Sequence, residues 1–161
     1  MHQEDLQLPV DELLLNDFTQ YYIHTHHCPP CAARTCAYLL FDFKREGRSF
    51  EHLLEFLKIS KSTLSDVLKL LEERQLIRHY AHEGCRKRFF VINSTFVINR
   101  FNGIKQDMIN EKALLERMLG YQKENGSENA LVEARFGTLI DIFDKNITTF
   151  QEGIEKLSRI N

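Results

Sequence analysis

A chain of 161 residues, 43% hydrophobic and 27% charged, has the length of one domain or of a small core with an appendage, and enough apolar surface to offset the entropy of ordering, which excludes the disordered and fibrous classes. Its longest apolar run, about Cys36 to Phe41, is far short of the roughly 18 residues a membrane span needs, and the start Met1, His2, Gln3, Glu4, Asp5 lacks the basic region of an export signal. Four cysteines are too few for a disulfide scaffold, so a cytoplasmic protein that stays off membranes is expected.

The formal net charge of −2 conceals a division. Residues 1–33 hold five acids and no Lys or Arg, residues 34–100 hold thirteen bases against eight acids, and residues 101–161 hold eight bases against ten acids. A basic middle between acidic flanks is the pattern of an electrostatic footprint confined to one segment.

In chain order, Val10, Leu13, Leu14, Phe18, Tyr21 and Tyr22 are spaced by three and four, which predicts a first helix ending near His26 with these residues on its inner face. Pro29 and Pro30 break it. A second helix is predicted over Cys31 to Glu46, with Cys36, Leu39, Leu40 and Phe43 inward and Gly47 as the stop. Ser49 has N-cap chemistry for a short third helix carrying Leu53, Leu54 and Leu57, and Lys58, Ile59 and Ser60 form a tight turn. Ser60 then caps a helix in which Leu64, Val67, Leu68 and Leu71 fall at i, i+3, i+4 and i+7. Burying that stripe turns Lys61, Ser62, Thr63, Ser65, Asp66 and Lys69 outward. After Arg74 the period changes to two: Leu76 to Tyr80 and Arg88 to Ile92 predict a β-hairpin, with a polar, basic tip from His82 to Lys87 around Gly84.

Beyond Asn93 two long helical patterns follow. One places Phe101, Ile104, Met108, Leu115 and Met118 on a stripe and ends near Asn125 and Gly126. The other places Val132, Phe136, Leu139, Phe143, Ile147, Phe150, Ile154 and Leu157 near a heptad seam. Two such helices alone cannot hide these stripes from water, so an antiparallel helical hairpin that also packs on a second copy is expected, with either stripe as the main seam. The predicted organisation is an N-terminal helix at 1–27, a domain of short helices and a β-hairpin at 28–93 and a helical dimerisation region at 94–161.

A short helix, a tight turn, a helix with an exposed Lys, Ser and Thr face and a ribbon with a basic tip follow the order of a winged helix-turn-helix. The run from Leu57 through Ser60, Lys61, Ser62, Thr63 and Leu64 to Ile77, with the wing Gly84, Cys85, Arg86, Lys87, Arg88, Phe89 and Phe90, resembles MarR-like transcriptional regulators, most closely their GbsR-type branch. Pro29, Pro30, Cys31, Ala32, Ala33 and Arg34 look like the proline-led segment that opens the winged domain in that branch, so the likeness covers about residues 28–93. The resemblance implies a mainly α fold with a small β-hairpin wing, in which the helix from Lys61 to Arg74 enters the major groove and the hairpin tip lies along the backbone or in the adjacent minor groove.

The residue chemistry agrees with this. Lys61 and Lys69 can neutralise phosphates, Ser62, Thr63 and Ser65 can reach phosphates or base edges, the helix start at Ser60 attracts an anion, and Arg86, Lys87 and Arg88 add charge to the wing. These nine residues are the expected contact set for double-stranded DNA, and a homodimeric repressor is the expected function. Two departures stand out. Many MarR-like wings carry an acidic residue where this chain has Cys85, and Asp66 would be repelled by phosphate, although it can accept from cytosine N4. In the plain structural reading the polar helix face is merely solvated and the basic tip guards a sheet edge; the alternative function is a protein interaction module, in which the winged domain has lost DNA binding and the helical hairpin recruits a partner.

His24, His26, His27, Cys28 and Cys31 form a run with metal-like spacing. A redox C-x-x-C belongs near a βαβ pattern, which is absent, and a structural zinc needs a second ligand pair, for which only Cys36 and Cys85 remain among the thiols. No metal is therefore assigned. Cys28, Cys31, His24 and His27 stay as metal candidates, and Cys28 with Cys31 would serve a thiol- or metal-sensing regulator. No G-x-x-x-x-G-K, G-x-S-x-G or H-E-x-x-H occurs, so neither an enzyme nor a cofactor is expected. A small-molecule effector is of unknown identity. The GbsR-type resemblance implies choline sensing, which needs an aromatic cage, but Phe18, Tyr21, Tyr22, Tyr38, Phe41, Phe96 and Phe101 have the helical spacing of core residues.

Overall fold

The computed structural model describes residues 8–81, 84 and 86–160. The chain divides into two compact units, one ending at Asn93 and the other beginning at Ser94. The first contains α1 (Glu12–His26), α2 (Pro30–Leu39), β1 (Arg48–Ser49), α3 (Phe50–Leu57), α4 (Lys61–Glu73), β2 (Ile77–Ala81) and β3 (Arg88–Ile92).

Side-chain caps start three of these helices, as their residue types require. The Leu14 N–H donates to Asp11 Oδ1 (3.0 Å), the His52 N–H to Ser49 Oγ (3.2 Å) and the Thr63 N–H to Ser60 Oγ (3.1 Å). The stripe Leu64, Val67, Leu68 and Leu71 is buried, together with Leu53, Leu76, Ile77, Phe90 and Val91. This core fixes α4 against the sheet and leaves its opposite face open.

The hairpin forms as its alternation predicts, with Ile77 opposite Ile92 and Ala81 opposite Arg88. A strand not anticipated from sequence joins it: β1 pairs Arg48 with Phe90 and Ser49 with Phe89, giving the antiparallel order β1-β3-β2. Two residues carry no readable period, so only the register with β3 reveals them.

Two predicted faces are corrected. In α1 the buried residues are Leu15, Thr19 and Tyr22, whereas Leu13 is 81% exposed and Leu14, Phe18 and Tyr21 are also exposed. The helix is apolar on more than one side, and α1 packs on α2 through the face that also carries Thr19. Thr19 tolerates burial because its hydroxyl donates to the Leu15 carbonyl (2.7 Å).

The second correction concerns α2, which stops at Leu39 rather than Glu46. The cause is Asp42, whose buried carboxylate accepts the Gly47 N–H at 2.7 Å and the Arg48 guanidinium at 3.3 Å. An Asp that bonds nearby backbone offers the chain a competitor to the helix. Phe41 consequently enters the core, Leu40 is half-buried, and Phe43, expected inward, is 78% exposed.

Gly47 closes this loop at φ +74°, where an added Cβ would lie 2.8 Å from Phe89 Cβ. Both the left-handed backbone and the contact penalise a side chain. Gly47→Ala is expected to cost about 2 kcal/mol or more, read as a lower urea midpoint with an unchanged slope; an unchanged midpoint would contradict the tight loop.

The second unit is an antiparallel hairpin of α5 (Phe96–Glu124) and α6 (Ala130–Ser158), each of 29 residues. Lys105 Nζ donates to Gln151 Oε1 (2.7 Å), Lys112 Nζ meets Asp144 Oδ1 (2.5 Å), and Phe101 stacks edge-on to Phe150 at 5.2 Å. Early residues of α5 thus meet late residues of α6. On α5 the half-buried stripe is Phe101, Ile104, Met108, Lys112, Leu115 and Leu119, so Leu119 replaces the expected Met118, which is exposed. The expected α6 stripe is half-buried throughout, with Ile154 fully so. The architecture is a winged helix-turn-helix with a long C-terminal helical hairpin. Among the described residues no helix is long and apolar enough to cross a membrane.

Candidate nucleic-acid interface

The N-terminal end of α4 gathers three hydroxyls. Ser60 Oγ, besides capping the helix, lies 2.9 Å from Ser62 Oγ and 2.8 Å from Thr63 Oγ1. Lys61, Ser62, Thr63, Ser65, Asp66 and Lys69 are all exposed, as the buried stripe demands. Lys69 Nζ stands 3.9 Å from Glu73 Oε1, both well exposed. Such a pair holds the ammonium weakly and leaves it exchangeable toward a phosphate.

Contacts at the other end of α4 fix its position. Glu72 pairs with His79 on β2. Arg74 Nη1 donates to the carbonyls of His26 (3.1 Å) and His27 (3.2 Å) and reaches Cys28 Sγ at 3.7 Å. The last turn of α4 is therefore tied both to the sheet and to the end of α1.

On the wing, Gly84, Arg86, Lys87 and Arg88 are exposed, and Gly84 turns at φ +76°. The Arg88 guanidinium lies 5.8 Å from the Phe90 ring centroid, a cation-π contact that holds its stem against the sheet. His82, Glu83 and Cys85 of the expected tip lie outside the described residues. Arg78, exposed on β2, is a further cation that was absent from the expected set; the period-two pattern of its strand was the signal available for it.

The root of the wing depends on residues that no motif marks. Asp42 and Arg48 form an ion pair at 3.3 Å in which both side chains are largely hidden from water. The Tyr80 hydroxyl donates to the Glu46 carbonyl. Together they clamp the 40–47 loop to β1 and β2.

The histidine and cysteine run does not gather. Cys28 is buried, Cys31 half-buried, and His24 and His27 exposed. Among the described residues no group of three or more His, Cys, Asp or Glu side chains is placed to hold a metal ion. Burial pushes the Cys28 thiol up, with the neighbouring Arg74 opposing. Burial, and then Cys28, push Cys36 up strongly.

Cys36 gives a pH prediction. Its folded thiol stays neutral, while in the unfolded chain it ionises near its ordinary value of 9.0. Stability present below that value is therefore lost as pH rises above it, by at most about 1.4 kcal/mol per pH unit from this one group. Urea midpoints between about pH 8 and pH 10 should fall less steeply in Cys36→Ala than in the parent; equal slopes would remove Cys36 as the source.

No family model matches the chain, and no curated protein matches it. Among solved structures, the crystal structure of a transcriptional regulator is similar, at 17% sequence identity and a TM-score of 0.54, over 91% of this chain and 97% of that one. At that identity the likeness is one of fold.

Proposed function

We propose that this chain is a sequence-specific double-stranded DNA-binding transcriptional regulator of the MarR-like, GbsR-type kind, acting as a homodimeric repressor. The observation that carries the reading is the open face of α4. Its start gathers three hydroxyls beside Lys61, its outward residues are polar, and its inner stripe and end contacts hold it in place. That combination suits a helix presented to the major groove, with Arg86, Lys87 and Arg88 supplying backbone contacts from the wing. The test is fluorescence anisotropy on DNA from upstream of its own gene and on a shuffled duplex, at two salt concentrations. Tighter binding to the native fragment that survives the higher salt supports a sequence-specific regulator, and equal, salt-erased binding overturns it.

The homodimer is supported by the second unit. Its two helices bury only Ile154 among the described residues, while Leu114, Met118 and Tyr121, spaced by four and three on α5, remain exposed. A second copy that covers this stripe gives a dimer with two winged units, and a helix-turn-helix dimer predicts a roughly palindromic site with half-sites about 34 Å, or a multiple of that, apart. The double replacement Leu114→Glu with Met118→Glu is expected to convert the dimer to a monomer in sedimentation velocity. It should also weaken binding to a two-half-site operator by about a hundredfold, because the two winged units no longer bind as one. A variant that stays dimeric would place the seam elsewhere.

Asp66, exposed on α4 where phosphate would repel it, favours a second reading in which the winged unit has lost DNA binding and the helical hairpin recruits a protein partner; binding of a protein partner in the absence of any DNA affinity would select it. Burial of Cys28 as a neutral thiol counts against a thiol sensor.

A further inference from the structure

A cavity of about 600 Å³ opens within the first unit between α1, α2 and α3, well inside the range of small-molecule sites. It takes no part in the α4 and wing surface. Its lining combines opposite charges with an aromatic wall: the cations are Arg34 and Lys58, and the carboxylates are Glu12 and Glu55. Neither a simple anion nor a simple cation would match such a set, because each would face two like charges. A molecule carrying one of each would find a partner for both.

The geometry of Arg34 favours a carboxylate at that end. The guanidinium is held 5.5 Å over the Phe56 ring, and its contact with Glu12 is a single approach at 3.5 Å between exposed groups. An exposed, single-ended pair is weak, whereas a ligand carboxylate can engage the planar fork with two bonds. Glu55 then offers the complement for an ammonium. Phe56, stacked on buried Tyr38 with ring centroids 3.7 Å apart, provides a rigid apolar wall. The Tyr38 hydroxyl also lies 2.5 Å from His52 Nε2, which ties α2 to α3.

We infer that this cavity binds a free α-amino acid, its carboxylate on Arg34, its ammonium on Glu55 and its side chain against Phe56. The site also reaches the helix-turn-helix. Lys58, on the cavity wall, is the left-handed residue that ends α3 (φ 52°), two positions before Ser60 caps α4. An occupant bearing on Lys58 and Glu55 acts on the turn that aims α4, so it would alter DNA affinity; this regulatory consequence rests on the DNA-binding reading above.

The test is calorimetry of the full chain, without DNA, against the twenty common free amino acids at millimolar concentration. For any that binds, the analogue lacking the ammonium and the analogue lacking the carboxylate are titrated in parallel. For L-phenylalanine these are 3-phenylpropanoate and 2-phenylethylamine. Saturable binding of at least one amino acid is expected, with each analogue weaker by about tenfold or more. Arg34→Gln and Glu55→Gln should each weaken the amino acid similarly while leaving the melting temperature of the ligand-free protein near that of the parent. No heat from any amino acid, or an analogue binding as well as its parent, overturns the site. The two readings fail separately: amino-acid binding by a protein with no DNA affinity would sink the regulator and support the cavity, while specific DNA binding with no amino-acid heat would sink the cavity alone.

Discussion

Replacing Asp42 with Ala is expected to remove about 3–5 kcal/mol of stability from the winged unit, the cost of stranding one partner of a buried ion pair. Asp42 is 5% exposed, and its two oxygens serve different partners, Oδ2 the Gly47 N–H and Oδ1 the Arg48 guanidinium. The Ala variant leaves a largely hidden guanidinium without its carboxylate and a backbone N–H without its acceptor. Asp42→Asn should fall between variant and parent, because an amide oxygen can still accept from Gly47 but cannot neutralise Arg48. Combining Asp42→Ala with Arg48→Leu should recover part of the loss, since the double variant no longer buries an uncompensated charge. Urea unfolding of the four proteins checks the series. If Asp42→Ala loses less than about 1 kcal/mol, the cost of an ordinary hydrogen bond, the loop is not what holds β1 on the sheet.

Replacing Arg86 and Lys87 together with Ala is expected to weaken DNA binding on every sequence and to lower the salt slope by nearly two, at about 0.9 for each phosphate that is no longer neutralised. Both residues are exposed on the wing, outside the core that holds the fold, so the melting temperature should stay near that of the parent. The effect should not discriminate between operator and shuffled duplex, because binding to phosphates carries no sequence information. Ser62→Ala or Thr63→Ala should instead change the ratio between those two duplexes with little change in salt slope. Anisotropy titrations across a salt series separate the two behaviours. An unchanged slope in the wing variant would mean that the wing does not touch DNA.

The parts of this protein that were legible in its sequence share one property: their signal is local and repeats. The stripe Leu64, Val67, Leu68 and Leu71 fixed which face of α4 is buried, and so which residues face out. The alternation through Leu76 to Tyr80 and Arg88 to Ile92 located the hairpin, whose first strand runs one residue later, from Ile77 to Ala81, and the α6 stripe kept its residues on the inner face. Serine at 49 and 60 marked the helix starts because a side-chain oxygen there accepts from a backbone N–H that the helix itself leaves without an acceptor.

Choices between partners distant in sequence were left to the packing. Which apolar side of α1 is buried depends on what α2 offers it, and Leu15, Thr19 and Tyr22 prevailed over a more hydrophobic set. The end of α2 at Leu39 depends on a carboxylate reaching forward to Gly47 and Arg48, and β1 exists only through its pairing with β3. The link from Arg74 to the end of α1 and the mixed-charge cavity bounded by Glu12, Arg34 and Glu55 join residues more than twenty positions apart. A period along the chain records which side of an element avoids water. It does not record which other element will cover that side, so the sequence carried the starts of α3 and α4, the hairpin and the open face of α4, while the packing set the buried side of α1, the end of α2, the wing root and the cavity.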